Sequence, residues 1–88
     1  MTVTLTYFAQ IRRKAGVESE TVTATDGTTV HGVLAAIQHG AEFGELLFEK
    51  TGALRPVILL VVNGLPSTPE RMLRDGDSVQ VFSPVAGG

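Results

Sequence analysis

Polar and apolar residues alternate from the start of the chain. Thr2-Val3-Thr4-Leu5-Thr6-Tyr7 places Val3, Leu5 and Tyr7 on one side of an extended segment and three threonines on the other. A period of two, rich in β-branched side chains, marks a strand with one face on a core. The period changes at Phe8. Phe8, Ile11 and Ala15 recur at helical spacing and Gly16 stands where a left-handed cap belongs, so a short helical turn is expected over 8–15 with Arg12, Arg13 and Lys14 outside. Alternation returns over 18–25, with Glu20, Val22 and Ala24 on one face and threonines on the other. This reads as a second strand, antiparallel to the first and near an edge.

Asp26-Gly27 turns the chain, and Thr28 or Thr29 can cap the helix that follows. Val30, Val33, Leu34 and Ile37 form one apolar stripe. Gly32 costs this helix about 1 kcal/mol relative to alanine, and Gly40 is expected to end it. A further short helix is predicted over 41–50 from Phe43, Leu46 and Leu47. Residues 51–56 read as a loop. Residues 57–62 are apolar at every position, so this strand is either covered on both faces or has one face awaiting a partner. Asn63-Gly64 signals a tight turn, 65–74 with Pro66 and Pro69 reads as a connector, and Asp75-Gly76-Asp77 turns into a last strand over 78–82. There Val79 and Val81 point one way and Gln80 and Phe82 the other, which makes Phe82 a candidate contact residue. The order of elements predicts an α+β domain in which one principal helix packs across a mixed sheet. Its first and last strands can pair in parallel at the centre, as in a β-grasp.

Composition narrows the function. The chain has 88 residues, 43% hydrophobic and 18% charged, with a net charge of −2. That supports one globular domain and disfavours nucleic acid as a partner. No cysteine is present, which removes thiolate chemistry and disulfides. No signal-peptide pattern is seen, and the run 57–62 is too short to span a bilayer. A soluble cytoplasmic protein without a membrane partner is expected. His31 and His39 lie eight apart, not at the spacing of a helical metal pair, and Asp75 and Asp77 fit a turn better than a metal site. No P-loop, dinucleotide fingerprint or nucleophile elbow occurs, so no metal or cofactor is expected.

One stretch remains. Ser83-Pro84-Val85-Ala86-Gly87-Gly88 has no charged side chain, begins beside a proline and closes on two glycines. Glycines can follow a passage too narrow for a Cβ. The expected division is therefore a domain over 1–82 and a flexible Gly-Gly tail over 83–88, whose functional group is the α-carboxylate of Gly88.

Tyr7-Phe8-Ala9-Gln10-Ile11-Arg12 with Ala15-Gly16 resembles the opening of MoaD-like proteins, the small subunit of molybdopterin synthase, in the MoaD/ThiS group of ubiquitin-like sulfur carriers. Thr29-Val30 with Leu34, Asn63-Gly64, Leu73-x-Asp75-Gly76-Asp77 and the closing Pro84-Val85-Ala86-Gly87-Gly88 agree. Ser83 departs from the family, which commonly has a second proline there, and 41–56 is a variable region. The resemblance implies a ubiquitin-like β-grasp and a non-catalytic, sulfur-donating subunit. An ATP-dependent E1-like activating enzyme would adenylate Gly88, a sulfur donor protein would convert it to a thiocarboxylate, and the synthase large subunit would use that sulfur to build molybdopterin. Phe82, Pro84, Val85, Ala86 and Gly87 would lie in the partner interface, and ATP would belong to the activating enzyme. Sulfur carriage for thiamin or cysteine synthesis, or a ubiquitin-like modifier joined to lysines through Gly88, are the alternatives.

Overall fold

The computed structural model describes residues 1–83. The first alternating segment is strand β1 (Thr2–Tyr7), with Val3, Leu5 and Tyr7 buried. Helix α1 (Ala9–Ala15) follows and buries Ile11 and Ala15. It stops at Gly16, whose φ of 79° lets its N–H reach the Arg12 carbonyl at 3.0 Å, the left-handed cap that only glycine adopts without strain. Strand β2 (Ser19–Thr23) returns antiparallel to β1.

Helix α2 (Val30–Ala36) is capped by Thr29, whose hydroxyl accepts from the Gly32 N–H at 3.0 Å. Gly32 is there for space, since a Cβ would stand 2.8 Å from Thr28 Cγ2. The helix ends at Ala36, short of the expected stop at Gly40. Ile37 is already extended (ψ 136°) and packs its side chain against the core; that burial draws the chain out of the helix. Gly40, at φ 92°, instead leads into α3 (Ala41–Leu47), which buries Phe43 and Leu47.

Strand β3 spans Leu59–Val62, so the expected strand over 57–62 loses its first two residues to a turn closed by the Ile58 N–H on the Arg55 carbonyl at 3.0 Å. The expected connector over 65–74 contains a strand, β4 (Leu65–Ser67), antiparallel to β3 across the Asn63-Gly64 turn. Pro66 argued against a strand, yet β4 is an edge, where a missing N–H costs no ladder bond. Strand β5 (Ser78–Phe82) inserts beside β1.

The sheet order is β2-β1-β5-β3-β4. The β1–β5 pair is parallel and the others antiparallel, which is the expected mixed β-grasp sheet, with α1 and α3 as the two short helices expected beside α2. Register puts Leu5 beside Val79 and Tyr7 beside Val81, and Val81 and Val79 beside Leu60 and Val62. Those side chains form a single core with Ile11, Val30, Val33, Leu34, Phe43, Leu47 and Leu73. The opposite face is left to the threonines of β1 and to Gln80, Phe82, Leu59 and Val61.

Candidate functional site

In a strand, the residue after an inward side chain points outward. Tyr7 and Val81 are both inward and are register partners at the parallel centre of the sheet. Phe8 and Phe82 therefore emerge side by side on the outer face, and their rings stack at 4.3 Å with an interplanar angle of 10°. Ala9, next in the chain, holds a φ of 53°, a left-handed conformation that is strained for a residue with a Cβ. It turns the backbone into α1 immediately after Phe8.

Leu59 is the register partner of Phe82 and is 53% exposed, and Val57, two residues earlier, is 47% exposed. One step along, Gln80 pairs with Val61, which pairs with Pro66 of β4. The result is an apolar ledge running from Phe8 across Phe82 to Leu59, with Val61 and Pro66 adjoining it. Apolar side chains gathered on a sheet face mark a surface suited to a partner. Phe82 is half-buried at the centre of this ledge, where the sequence placed a contact residue. Of the other expected site residues, Pro84, Val85, Ala86, Gly87 and Gly88 lie outside the described residues. Helical spacing in the sequence groups Phe8 with Ile11 and Ala15; the structure buries Ile11 and Ala15 but stacks Phe8 on Phe82.

The other end of β5, away from the ledge, is tied by side-chain hydrogen bonds. Asp77 is buried and accepts from Asn63 Nδ2 and from the Arg74 N–H, each at 2.8 Å. Those two bonds, the backbone one leading, hold its carboxyl below the usual range. Asn63 Oδ1 in turn accepts from the Ser78 N–H at 2.9 Å, and Asp75 Oδ1 accepts from the Thr2 N–H at 2.7 Å. The Asp75-Gly76-Asp77 segment thus pins the start of β5 to β1 and to the β3–β4 turn.

A second polar cluster lies on the helix side. The Tyr7 hydroxyl donates to Glu20 Oε2 at 2.5 Å, and His39 Nε2 meets the same oxygen at 2.5 Å. Burial pushes the Tyr7 phenol up, and the Glu20 carboxylate adds to that. Burial also acts to raise Glu20, but the bonds from Tyr7 and His39 outweigh it and leave the carboxyl lowered. Neither group is poised to exchange a proton near neutrality; the cluster ties β2 to the segment between α2 and α3. His31, by contrast, sits against the Gly52 carbonyl at 2.8 Å and the Phe48 ring. Among the described residues no group of three or more His, Asp or Glu side chains is placed to hold a metal ion. Nor is any described helix long and apolar enough to cross a membrane.

Comparison with solved structures agrees with this architecture. SAMP1 from Haloferax volcanii, a small archaeal modifier protein, superposes with a TM-score of 0.88 at 25% identity over 100% of both chains. The HVO 2177 protein of the same organism gives 0.82 at 32% identity, covering 100% of this chain and 87% of that one. A Pyrococcus furiosus protein described as molybdopterin converting factor, subunit 1, gives 0.75 at 28% identity over 97% and 99%. No curated protein matches the chain. The family model that does match, ThiS, covers residues 5–88. Over nearly its whole length, then, the chain belongs to the ThiS family of ubiquitin-like sulfur carriers.

Proposed function

We propose that this protein carries sulfur on the α-carboxylate of Gly88 for the synthesis of molybdopterin. The observation that carries the reading is the apolar ledge of Phe8, Phe82 and Leu59, which lies one residue before Ser83-Pro84-Val85-Ala86-Gly87-Gly88. A partner seated on that ledge is adjacent to the tail it has to receive. The likeness to the Pyrococcus furiosus molybdopterin converting factor subunit favours this pathway. So does the Phe8-Ala9 opening, whose Phe8 is half of the ledge.

The chemistry follows from what a carboxylate lacks. With an ordinary pKa of about 3.3–3.7 it is anionic at neutral pH and a poor electrophile. Attack of the carboxylate on the α-phosphorus of ATP forms an acyl-adenylate and releases pyrophosphate. A sulfur nucleophile then forms the C–S bond as the C–O bond to AMP breaks, and with hydrosulfide the products are the thiocarboxylate, AMP and a proton. The thiocarboxylate sulfur is a soft nucleophile that a synthase large subunit can direct at a pterin precursor. The carrier supplies no acid, base or metal; it supplies position, making a bimolecular encounter local. Pro84, Val85, Ala86 and Gly87 form the arm and contact the partner's channel, while Phe82 anchors the body. The activating enzyme, the sulfur donor protein and the large subunit are the three partners this scheme needs.

ATP–pyrophosphate exchange with a MoaD-type activating enzyme tests the reading. Exchange should require the parent tail and vanish when Gly88 is deleted; exchange that persists without Gly88 would contradict it. The likeness to SAMP1 favours a second use of the same activated end, transfer to a lysine amine. Lysine-linked conjugates in cells, in place of free thiocarboxylate, would identify that use.

A further inference from the structure

The two edges of the sheet are built differently. β4 is three residues long and carries Pro66, both devices that blunt an edge. β2 has five residues with no proline and no lysine. Met1 and Ala24 exchange both backbone hydrogen bonds, at 2.7 and 2.9 Å. By the alternation of an antiparallel ladder, Val22 and Glu20 also turn their backbone groups toward β1, whereas Thr21 and Thr23 turn theirs outward. Those outward groups have no partner among the described residues.

Beside this edge runs a groove of about 590 Å³ between β2 and α2. Val22, Ala24 and Ile37 give it an apolar floor, each partly buried against the core. Its helix wall carries Gly32 and Ala36, one turn apart, so no large side chain of α2 fills it there. The Glu20 carboxylate lies at the β2 end. Both Tyr7 and His39 engage its Oε2, which leaves Oε1 for a further donor. No lysine or arginine lines the groove. An edge with free N–H and C=O groups takes a strand, an apolar floor takes alternate side chains of that strand, and a carboxylate with a free oxygen takes a cation.

We propose that the β2–α2 groove binds an extended segment of a partner protein, which adds to β2 as a sixth strand. Its alternate side chains are apolar and enter the groove, and a lysine or arginine meets Glu20. A second copy of β2 is a poorer occupant, because its own Ser19-Glu20-Thr21-Val22-Thr23 brings no cation to that carboxylate. The groove lies on the helix side of the sheet, away from the Phe8–Phe82 ledge. A partner held there leaves the ledge and the tail open to a different protein, so the site goes beyond the sulfur-carrier reading and stands or falls separately from it.

The test is an amide-shift titration of the isotope-labelled full chain with two synthetic peptides, Arg-Val-Ser-Val-Ser-Ile-Ser and its counterpart with glutamate in place of arginine. The arginine peptide should move the Thr21 and Thr23 amides and bind at least about tenfold more tightly than the glutamate peptide. Ala36→Phe, which fills the groove at an exposed position, should reduce that affinity by a similar factor while the amides of β5 stay in place. Glu20→Gln should erase the preference between the two peptides. If Thr21 and Thr23 do not respond to millimolar arginine peptide, or if both peptides bind the parent equally, the proposal is overturned. Shifts that grow with protein concentration alone would overturn it in favour of self-pairing. The two parent-chain titrations decide the matter even if a variant fails to fold.

Discussion

Asp77 and Phe82 are five residues apart and do opposite jobs. Asp77 receives the Arg74 N–H and the Asn63 amide within the fold, so its ionised form is the one the native state favours. A carboxyl whose pKa is depressed by folding contributes stability fully above its unfolded value, about 3.9, and loses it as pH falls through its folded value. Acid unfolding of the parent should therefore steepen below about pH 4. Asp77→Asn should flatten that limb while lowering stability near neutrality, checked by denaturant midpoints across pH; a parallel pair of curves would deny Asp77 this role. Phe82 faces outward, so Phe82→Ala gives up the stack on Phe8, worth about 0.5–1.5 kcal/mol. Its loss of affinity for a partner seated on the ledge should be larger, at least about 2 kcal/mol. Calorimetry that finds lost stability with unchanged affinity would make Phe82 a packing residue. The side of the strand that Phe82 occupies was legible from alternation alone. That Asp77 is a buried clamp was not, because an Asp-Gly-Asp string looks the same whether its carboxylates face water or backbone.

Among the elements, α2 was the most legible and its end the least. The i, i+3, i+4 rhythm of Val30, Val33 and Leu34 is what a helix on a sheet must show, and all three are buried. Leu34→Ala should cost about 2–5 kcal/mol in equilibrium unfolding; a loss under about 0.5 kcal/mol, the surface range, would put the stripe elsewhere. Thr29→Ala should cost about 1 kcal/mol through the lost cap on Gly32. The stop at Ala36 depended on Ile37 reaching the core, a tertiary preference that no local signal near Gly40 expresses. Strand β4 was hidden for a related reason: Pro66 rules out a central strand but not an edge, and edge status is a property of the whole sheet. For 57–62 the apolar pattern left two readings, both faces covered or one face open, and the structure has the second, with Val57 and Leu59 exposed.

At the scale of the molecule, the parallel β1–β5 pair connects fold to function. It brings the first outward aromatic after β1 and the last of β5 into one stack, next to the point where the tail begins. The Tyr7-Phe8 opening, which carries part of the family resemblance, thus lies beside the last strand of the described chain. The uncharged Gly-Gly end drew attention to Gly88 in the sequence, but only the resemblance gives it a specific chemistry, because glycine offers no side chain to read and its carboxylate is ordinary chemistry until a partner activates it. The most direct measurement is the intact mass of the parent and of a protein with one alanine appended after Gly88, each incubated with ATP, a MoaD-type activating enzyme and a sulfur donor. Both should fold alike, since the change lies beyond the core. The parent should gain the mass of one sulfur less one oxygen, and the extended protein should gain nothing. An extended protein sulfurated as fully as the parent would contradict the account.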